Sequence, residues 1–326
     1  MLEILKFTLF TIFFFALETI YFRIARKYNI VDHPNFRSSH DAPTLRGGGI
    51  LFPLGLLIFA FFEGFNYPYF IAGLLIIGLI SFLDDIQPVQ NKVRIFIHLI
   101  AVSLLFVETE LLNQSAWVVV IAYIVVIGTI NAYNFMDGIN GLTAAYSLVT
   151  CVAFLFINEN VAQFIPSWWL VIVIIVVIVF GFFNFRVVAK CFAGDVGSVS
   201  IAFILIFFML MLILATREIK YIGLFLIYGL DTVTTIIFRL CRKENIFAAH
   251  RSHFYQFLSN NGIWSQLSVS ALYSITQGLI NILILQSFFD LGWFIFLLIT
   301  SGCVLIFIRF MVEGKDRLFK SGIDIP

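Results

Sequence analysis

The stretch IAGLLIIGLISFLDDIQPVQNKVR, residues 71–94, is an apolar run that ends in two adjacent aspartates, Asp84 and Asp85. Such a run predicts a helix that crosses a bilayer, whose hydrocarbon core is about 30 Å thick. Two acids at a helix C-terminus are unfavourable, because the helix dipole already places partial negative charge there. A divalent cation would remove this repulsion, and a solvated loop start is the alternative explanation for the pair.

The composition of the whole chain is that of a membrane protein. Of the 326 residues, 61% are hydrophobic and 12% are charged, whereas a typical soluble domain has about 45–50% and about 25%. Apolar stretches that are candidates for membrane spans cover residues 4–22, 48–65, 68–83, 93–108, 115–133, 141–157, 167–184, 197–214, 220–238, 266–286 and 288–310. The last two are nearly continuous, so we predict about 11 spans, with 10 as the alternative. The predicted fold is all-α and polytopic, with a single integral membrane domain over residues 1–326.

The positively charged residues predict the orientation of these spans, because lysine and arginine are enriched in cytoplasmic loops. If the N-terminus lies outside, all but three of the 20 lysines and arginines fall on the cytoplasmic side. The exceptions are Lys6, Arg217 and Lys220. We therefore predict an outside N-terminus and a cytoplasmic C-terminus.

In this topology the polar residues gather on the cytoplasmic face. They lie in five predicted loops, which cover residues 23–47, 84–94, 134–140, 185–197 and 239–264. A transporter would instead carry charged groups or broken helices near the bilayer midplane, and here Glu18 and Asp231 are the exceptions. The one-sided distribution favours an enzyme that works at the membrane surface.

Several of the clustered residues carry oxygen ligands that suit Mg²⁺. This ion commonly takes one or two carboxylates, together with waters and substrate phosphates. Asp84, Asp85, Asp137 and Asp195 supply carboxylates near basic residues, which indicates Mg²⁺-assisted phosphate chemistry. Taken singly, Asp137 and Asp195 are equally well explained as turn or helix-capping residues.

The loop 239–264 adds two histidines, His250 and His253, among four basic residues. A zinc site is poorly supported, because no third ligand stands at a fixed spacing. The composition favours binding of a pyrophosphate, with a basic amphipathic stretch at anionic lipid as the alternative. The basic residues are Arg239, Arg242, Lys243 and Arg251.

Five motifs, in this order, resemble those of the polyprenyl-phosphate N-acetylhexosamine-1-phosphate transferases, which form part of glycosyltransferase family 4. The resemblance runs from about residue 31 to residue 257. The motifs are VDHPNFRSSHDAPTLRGGG (31–49), FLDD (82–85), NAYNFMDGINGL (131–142), FAGDVGS (192–198) and DTVTTIIFRLCRKENIFAAHRSHFYQ (231–256).

The resemblance implies an enzyme that moves a sugar-1-phosphate from a UDP-N-acetyl-amino sugar to undecaprenyl phosphate and releases UMP. The product would begin a surface glycan such as O-antigen. Within the family, the phospho-MurNAc-pentapeptide transferases of peptidoglycan synthesis are the alternative, although their loop is richer in histidine than HRSH here. The implied location is the bacterial cytoplasmic membrane, with the two substrates and membrane lipid as partners and no nucleic acid. A homodimer is compatible with these expectations.

The resemblance also implies roles for individual residues. Asp195, Asn134 and Asp85 would hold Mg²⁺, or Mn²⁺ in its place. Catalytic roles fall on Asp84, Asp85, Asp137, His250 and His253. Substrate-binding roles fall on Arg46, Asn140, Arg239, Arg242, Lys243 and Arg251. Asn140 stands where the family usually has aspartate, and both the division of roles between Asp84 and Asp85 and the identity of the sugar stay open.

Overall fold

A computed structural model describes residues 1–33, 43–245 and 250–320 of the chain. Parts of two predicted loops, residues 34–42 and 246–249, therefore lie outside the described residues. Apart from one short antiparallel pair, β1 (Val31–Asp32) and β2 (Thr44–Leu45), the regular structure described is helical. The helices are α1 (Leu2–Lys27), α2 (Leu51–Glu63), α3 (Pro68–Ile86), α4 (Asn91–Glu108), α5 (Ala116–Met136), α6 (Leu142–Asn160), α7 (Ser167–Asn184), α8 (Gly194–Thr216), α9 (Leu226–Cys241), α10 (Phe254–Asn260), α11 (Gln266–Ile284), α12 (Leu291–Glu313) and α13 (Lys315–Phe319).

The prediction of a polytopic all-α membrane protein is confirmed. Each of the 11 predicted stretches contains a helix, and in the described part of the chain 9 helical segments are long and apolar enough to cross a membrane. The two predicted spans outside this set are α2, which is shorter, and α4, whose first turn carries Lys92 and Arg94. The orientation of the termini stays a prediction.

Helix α8 lies at the centre of the bundle, and α12 lies at its edge. Apolar side chains cover all sides of α8 and most of them are buried, as expected for a helix surrounded by other helices. The ring of Phe207 on α8 stacks on Phe70 of α3, with centroids 3.9 Å apart. By contrast, Phe294 and Arg309 are the buried residues of α12, all of which is described.

Contacts between helix termini organise both ends of the bundle. At one end, the Glu108 carboxylate, which ends α4, accepts the N–H groups of Tyr69 at 2.7 Å and Phe70 at 3.0 Å. These N–H groups belong to the first turn of α3, where a helix leaves its donors without intrahelical partners. A carboxylate from a neighbouring helix therefore serves as a cap, and the same device recurs at the opposite end, where the predicted site lies.

Candidate active site

Asp84, Asp85 and Asp195 come together where α3 ends and α8 begins, with two arginines between them. The Nε atom of Arg46 lies 2.7 Å from Oδ1 of Asp85, and its Nη2 atom lies 3.4 Å from Oδ1 of Asp195. The Nη1 atom of Arg94 lies 2.7 Å from Oδ2 of Asp84, and its Nη2 atom lies 3.4 Å from Oδ2 of Asp195. The two guanidinium groups thus offset the repulsion among three converging carboxylates.

Asp85 caps the N-terminus of α8 from outside that helix. Its Oδ1 atom accepts the N–H of Asp195 at 2.8 Å, and its Oδ2 atom accepts the N–H of Val196 at 3.0 Å. Gly194 makes this approach possible, because a Cβ atom there would lie 2.5 Å from Oδ2 of Asp85, and its φ of +71° also favours glycine. With Arg46 as a third donor, both oxygens of Asp85 are engaged.

Asp84 and Asp195 are held differently. The Oδ1 atom of Asp84 accepts the N–H of Val89 at 2.6 Å, which closes the turn after α3. Both ion pairs of Asp195 are 3.4 Å long, beyond the range of strong hydrogen bonds. The side chains of Asp84, Asp85 and Asp195 are 10%, 0% and 18% exposed. Asp195 is therefore the most accessible of the three carboxylates.

Backbone hydrogen bonds to the segment before α8 bring Arg46 into the site. The N–H of Phe192 donates to the carbonyl of Leu45 at 2.8 Å, and the N–H of Gly48 donates to the carbonyl of Phe192 at 2.9 Å. Burial would lower the pKa of Arg46, but the carboxylates of Asp85 and Asp195 raise it above its usual value. The Arg46 guanidinium is therefore a permanent cation of the site.

Arg94 is a residue of this site that was not predicted from the sequence. Arg94 lies in the first turn of α4, where the helix dipole disfavours a cation. This unfavourable cation follows closely after the two unfavourable acids that end α3. The proximity of the two features in the sequence was a signal that Arg94 and the acids form an ion pair. The α3–α4 turn brings the two features together through the Arg94–Asp84 ion pair.

The loop 134–140 joins the same site through side-chain hydrogen bonds. The hydroxyl of Ser198, on α8, donates to Oδ1 of Asn134 at 2.7 Å. The hydroxyl of Thr143 donates to Oδ1 of Asp137 at 2.6 Å. Burial raises the pKa of Asp137 to about 6, because the loss of hydration outweighs the hydrogen bond from Thr143. Asp137 is thus an ionised group at neutral pH that is held at an energetic cost.

Asn140 connects this loop to the segment after α7. Its Nδ2 atom donates to the carbonyls of Arg186 at 3.0 Å and Val187 at 3.1 Å. Its own backbone N–H donates to Oε1 of Gln266 at 2.9 Å. Both amide hydrogens of the Asn140 side chain are therefore engaged by the protein's backbone.

In the loop 239–264, Arg239 and Arg242 are buried rather than exposed to solvent. The Nε atom of Arg239 lies 2.9 Å from Oε2 of Glu244, and Arg242 forms an ion pair with the same carboxylate. Hydrogen bonds from Arg242 are the main cause that lowers the pKa of Glu244 below its usual value. The two arginines thus hold the loop together, whereas Lys243 is exposed and Arg251 is partly exposed.

His250 and His253 stack on each other, with ring centroids 5.1 Å apart. The ring of His250 also packs against Phe135 of the loop 134–140, with ring centroids 5.6 Å apart. The Nδ1 atom of His253 lies 3.2 Å from Oδ1 of Asp231. Burial, followed by repulsion from His253 and Arg239, lowers the pKa of His250 to about 3. His250 is therefore a neutral ring at neutral pH.

This pKa predicts how the stability depends on pH. The unfolded chain has the ordinary histidine pKa of 6.5, so below that pH it binds a proton that the folded chain does not bind. We expect the thermal midpoint to fall less for His250→Gln than for the wild type between about pH 7.5 and pH 5.5. His33→Gln is the matched control, because His33 is exposed. Parallel curves for the His250 variant and the wild type would contradict the prediction.

The acids of this site have a chemistry that fits Mg²⁺. Among the described residues, no three histidine, cysteine, aspartate or glutamate side chains form a group that could hold a metal. Mg²⁺ does not require such a group, because one or two carboxylates suffice when waters and substrate phosphates complete the shell. Asp195, with its accessible side chain and long ion pairs, matches that requirement better than the fully engaged Asp85.

The fold and the site together define a polytopic membrane protein with an acid–arginine cluster at one end of its helices. Residues 67–213, which include Asp84, Asp85, Asn134, Asp137 and Asp195, match the model of glycosyl transferase family 4. This match confirms the resemblance inferred from the motifs.

Similar proteins align with most of the chain. The chain is 28% identical over 278 residues to the probable undecaprenyl-phosphate N-acetylglucosaminyl 1-phosphate transferase of Bacillus subtilis. This alignment covers 78% of this chain and 76% of the relative. It is 27% identical over 311 residues to the undecaprenyl-phosphate alpha-N-acetylglucosaminyl 1-phosphate transferase of Thermotoga maritima. This alignment covers 90% of this chain and 93% of the relative. It is 25% identical over 278 residues to the phospho-N-acetylmuramoyl-pentapeptide-transferase of Thermotoga neapolitana. This alignment covers 77% of this chain and 86% of the relative.

Proposed function

We propose that this protein transfers a sugar-1-phosphate from a UDP-N-acetyl-amino sugar to undecaprenyl phosphate and releases UMP. The observation that carries the proposal is the convergence of Asp84, Asp85 and Asp195 with Arg46 and Arg94 where the apolar helices end. A lipid phosphate lies at the membrane surface, and a nucleotide sugar reaches the same surface from water. A charged site at the ends of the helices is open to both substrates.

The carboxylates are proposed to divide the work at the reacting phosphates. Asp195 is the first candidate to hold Mg²⁺, or Mn²⁺, with Asn134 beside it. A bound ion would neutralise the pyrophosphate and polarise the phosphorus under attack. Asp84 is proposed to face the acceptor phosphate, and Asp85 to position Asp195 by capping α8. Arg46 and Arg94 supply donors that suit phosphate oxygens.

The loops around this centre are proposed to bind the donor nucleotide sugar. Asp137 and Asn140 lie on the loop proposed for the nucleotide side, although the Asn140 side chain is largely engaged by backbone carbonyls. The stacked His250 and His253 and the more accessible Lys243 and Arg251 are proposed to contact the pyrophosphate. Arg239 and Arg242 act on the substrate indirectly, because they bind Glu244 and hold the loop.

We place this reaction on the cytoplasmic face of a bacterial cytoplasmic membrane, where it would begin a surface glycan such as O-antigen. The lysine and arginine distribution and the bacterial relatives support that location. The whole chain is proposed to be one membrane domain that acts without nucleic acid, and a homodimer is compatible with it. Two relatives named phospho-N-acetylmuramoyl-pentapeptide-transferase keep the peptidoglycan reaction as the second candidate.

The test measures UMP release by purified protein supplied with undecaprenyl phosphate, Mg²⁺ and one UDP-sugar at a time. The panel contains UDP-GlcNAc, UDP-GalNAc, 6-deoxy amino sugars and UDP-MurNAc-pentapeptide, and mass spectrometry identifies the lipid product. We expect release with a UDP-N-acetyl-amino sugar, and only when acceptor and Mg²⁺ are both present. Omission of acceptor and chelation of Mg²⁺ are the controls.

Two outcomes of this assay would change the conclusion. Turnover with UDP-MurNAc-pentapeptide and with no other donor would favour the peptidoglycan reaction. UMP release that continues without lipid acceptor would contradict the transferase proposal, since the sugar-phosphate would then pass to water.

A further inference from the structure

The outermost long helix, α12, reaches the interior of the protein through one charged residue. Most of α12 faces outward, yet Arg309 near its C-terminal end is only 1% exposed. A buried guanidinium at the edge of a membrane protein is costly unless every donor is paired. The partners of Arg309 therefore reveal what this residue holds.

All five N–H donors of Arg309 can be assigned to acceptors. Its Nε and Nη2 atoms bind the carboxylate of Glu313, one turn further along α12. Its Nη1 atom donates to the hydroxyl oxygens of Thr234 at 3.0 Å and Thr235 at 2.9 Å on α9. Its Nη2 atom also donates to the carbonyl of Ser252 at 2.9 Å. Arg309 thus ties α12 to α9 and to the histidine loop.

Ser252, which directly precedes His253, is held at each of its polar groups. Arg309 binds the carbonyl of Ser252. The Nη2 atom of Arg242 lies 3.2 Å from the Ser252 hydroxyl, and the N–H of Ser252 donates to Nδ1 of His250 at 3.3 Å. Since these contacts fix the peptide before His253, they limit the positions that its imidazole can take.

The ring of His253 is oriented by Asp231, which is itself connected to Arg309. Oδ1 of Asp231 lies 3.2 Å from Nδ1 of His253 and accepts the hydroxyl of Thr235 at 3.2 Å. Asp231 also accepts the N–H groups of Phe254 at 3.0 Å and Tyr255 at 3.2 Å, and so caps α10. With Nδ1 directed at a carboxylate, the Nε2 atom is the group left for a ligand, because it is buried and has no hydrogen-bond partner among the described residues.

We propose that Arg309 is a positioning residue for the transfer reaction, which fixes the Ser252 carbonyl and, through Thr235 and Asp231, the orientation of the His253 imidazole. The inference rests on the proposed function, because it assigns His253 to the substrate side of the site. Arg309 itself contacts no substrate. Its replacement should therefore reduce turnover by releasing His253, not by removing a binding contact.

The experiment compares Arg309→Met, Arg309→Lys and Thr235→Val with the wild type. Methionine keeps most of the volume of arginine without its charge, and lysine keeps the charge without the planar donor geometry. Thr235→Val removes one hydroxyl at nearly constant shape. Thr300→Val on α12 is the matched control, because within the described part of the chain the Thr300 hydroxyl donates only to carbonyls of its own helix.

Two readouts distinguish positioning from general stability. For Arg309→Met we expect kcat to fall roughly 10- to 100-fold, as for other residues that orient a site, with KM for the UDP-sugar nearly unchanged. In protein without substrates, diethyl pyrocarbonate should modify His253 several-fold faster than in the wild type, with the adduct located by mass spectrometry. Arg309→Lys should recover part of both properties, and Thr300→Val should match the wild type.

Each outcome bears on the proposal. Unchanged kcat and unchanged labelling of His253 in Arg309→Met would overturn it, as would an equal loss in Thr300→Val. If Arg309→Met does not fold, Thr235→Val decides: lower kcat with faster labelling supports the proposal, and wild-type behaviour overturns it. The labelling measurement needs no substrate, so it still tests Arg309 if the wild type releases no UMP from any donor.

Discussion

Replacement of Asp195 by asparagine is expected to lower the rate of UMP release by roughly 10³-fold, which corresponds to a loss of about 4 kcal/mol of transition-state stabilisation. The substitution keeps the shape of the side chain and leaves the backbone N–H of Asp195 bound to Asp85. It removes the negative charge that we propose for binding Mg²⁺. The Mg²⁺ concentration for half-maximal activity should rise, while the thermal midpoint in Mg²⁺-free buffer stays close to that of the wild type.

Asp290→Asn provides the control for a neutralised aspartate in the same chain. Oδ1 of Asp290 accepts the N–H of Trp293 at 3.0 Å and caps α12. Asparagine caps a helix about as well as aspartate, so this variant should keep its activity and stability. A rate within tenfold of the wild type for Asp195→Asn, with an unchanged Mg²⁺ requirement, would contradict the assignment of Asp195 as a metal ligand.

Much of the fold could be predicted because apolar length is a local property of the sequence. The 11 stretches each contain a helix, since about 20 apolar residues have few other ways to satisfy their backbone in a membrane. Helix α4 is less clear from apolar length alone, because it lies where a span is predicted but carries Lys92 and Arg94 in its first turn. Those charges lower its apolarity because α4 begins at the site.

The predicted loops meet, but the sequence did not predict how their residues are bonded. Asp85 and the N–H it accepts from Asp195 are 110 positions apart, and Arg46 and Asp195 are 149 apart. A carboxylate that caps a helix from another part of the chain leaves no pattern near that helix, whereas a local cap stands directly before it. Asp85 and Glu108 therefore could not be identified as caps before their neighbours were known.

The roles of the basic residues in the loop 239–264 also could not be predicted from the sequence. Arg239, Arg242, Lys243 and Arg251 look alike in the sequence, as candidates to bind a pyrophosphate. In the structure, Arg239 and Arg242 are buried around Glu244, and Arg242 also reaches Ser252. A charge-rich segment does not indicate which cations point inward, because that depends on acids and hydroxyls that packing brings near.

The aspartate pair yields the second large effect, because its two members should respond differently to the same substitution. Asp85→Asn places an amide, with one acceptor oxygen, where a carboxylate accepts the N–H groups of Asp195 and Val196 and the Nε of Arg46. At least one buried donor then loses its partner, at a cost of about 1–3 kcal/mol. We expect a thermal midpoint lower by several degrees, and turnover reduced roughly 100-fold because Asp195 is displaced.

Asp84→Asn should separate activity from stability. Its Oδ1 can still accept the N–H of Val89, and what is lost is a partly exposed ion pair with Arg94, which contributes little to folding. Turnover should fall at least as far as in Asp85→Asn, while the thermal midpoint stays near that of the wild type. If the two variants lose equal stability, Asp85 is not distinguished by its role as a cap. If Asp84→Asn is instead the less stable variant, the proposed division of roles is contradicted, because Asp84 holds the turn after α3 and not the N-terminus of α8.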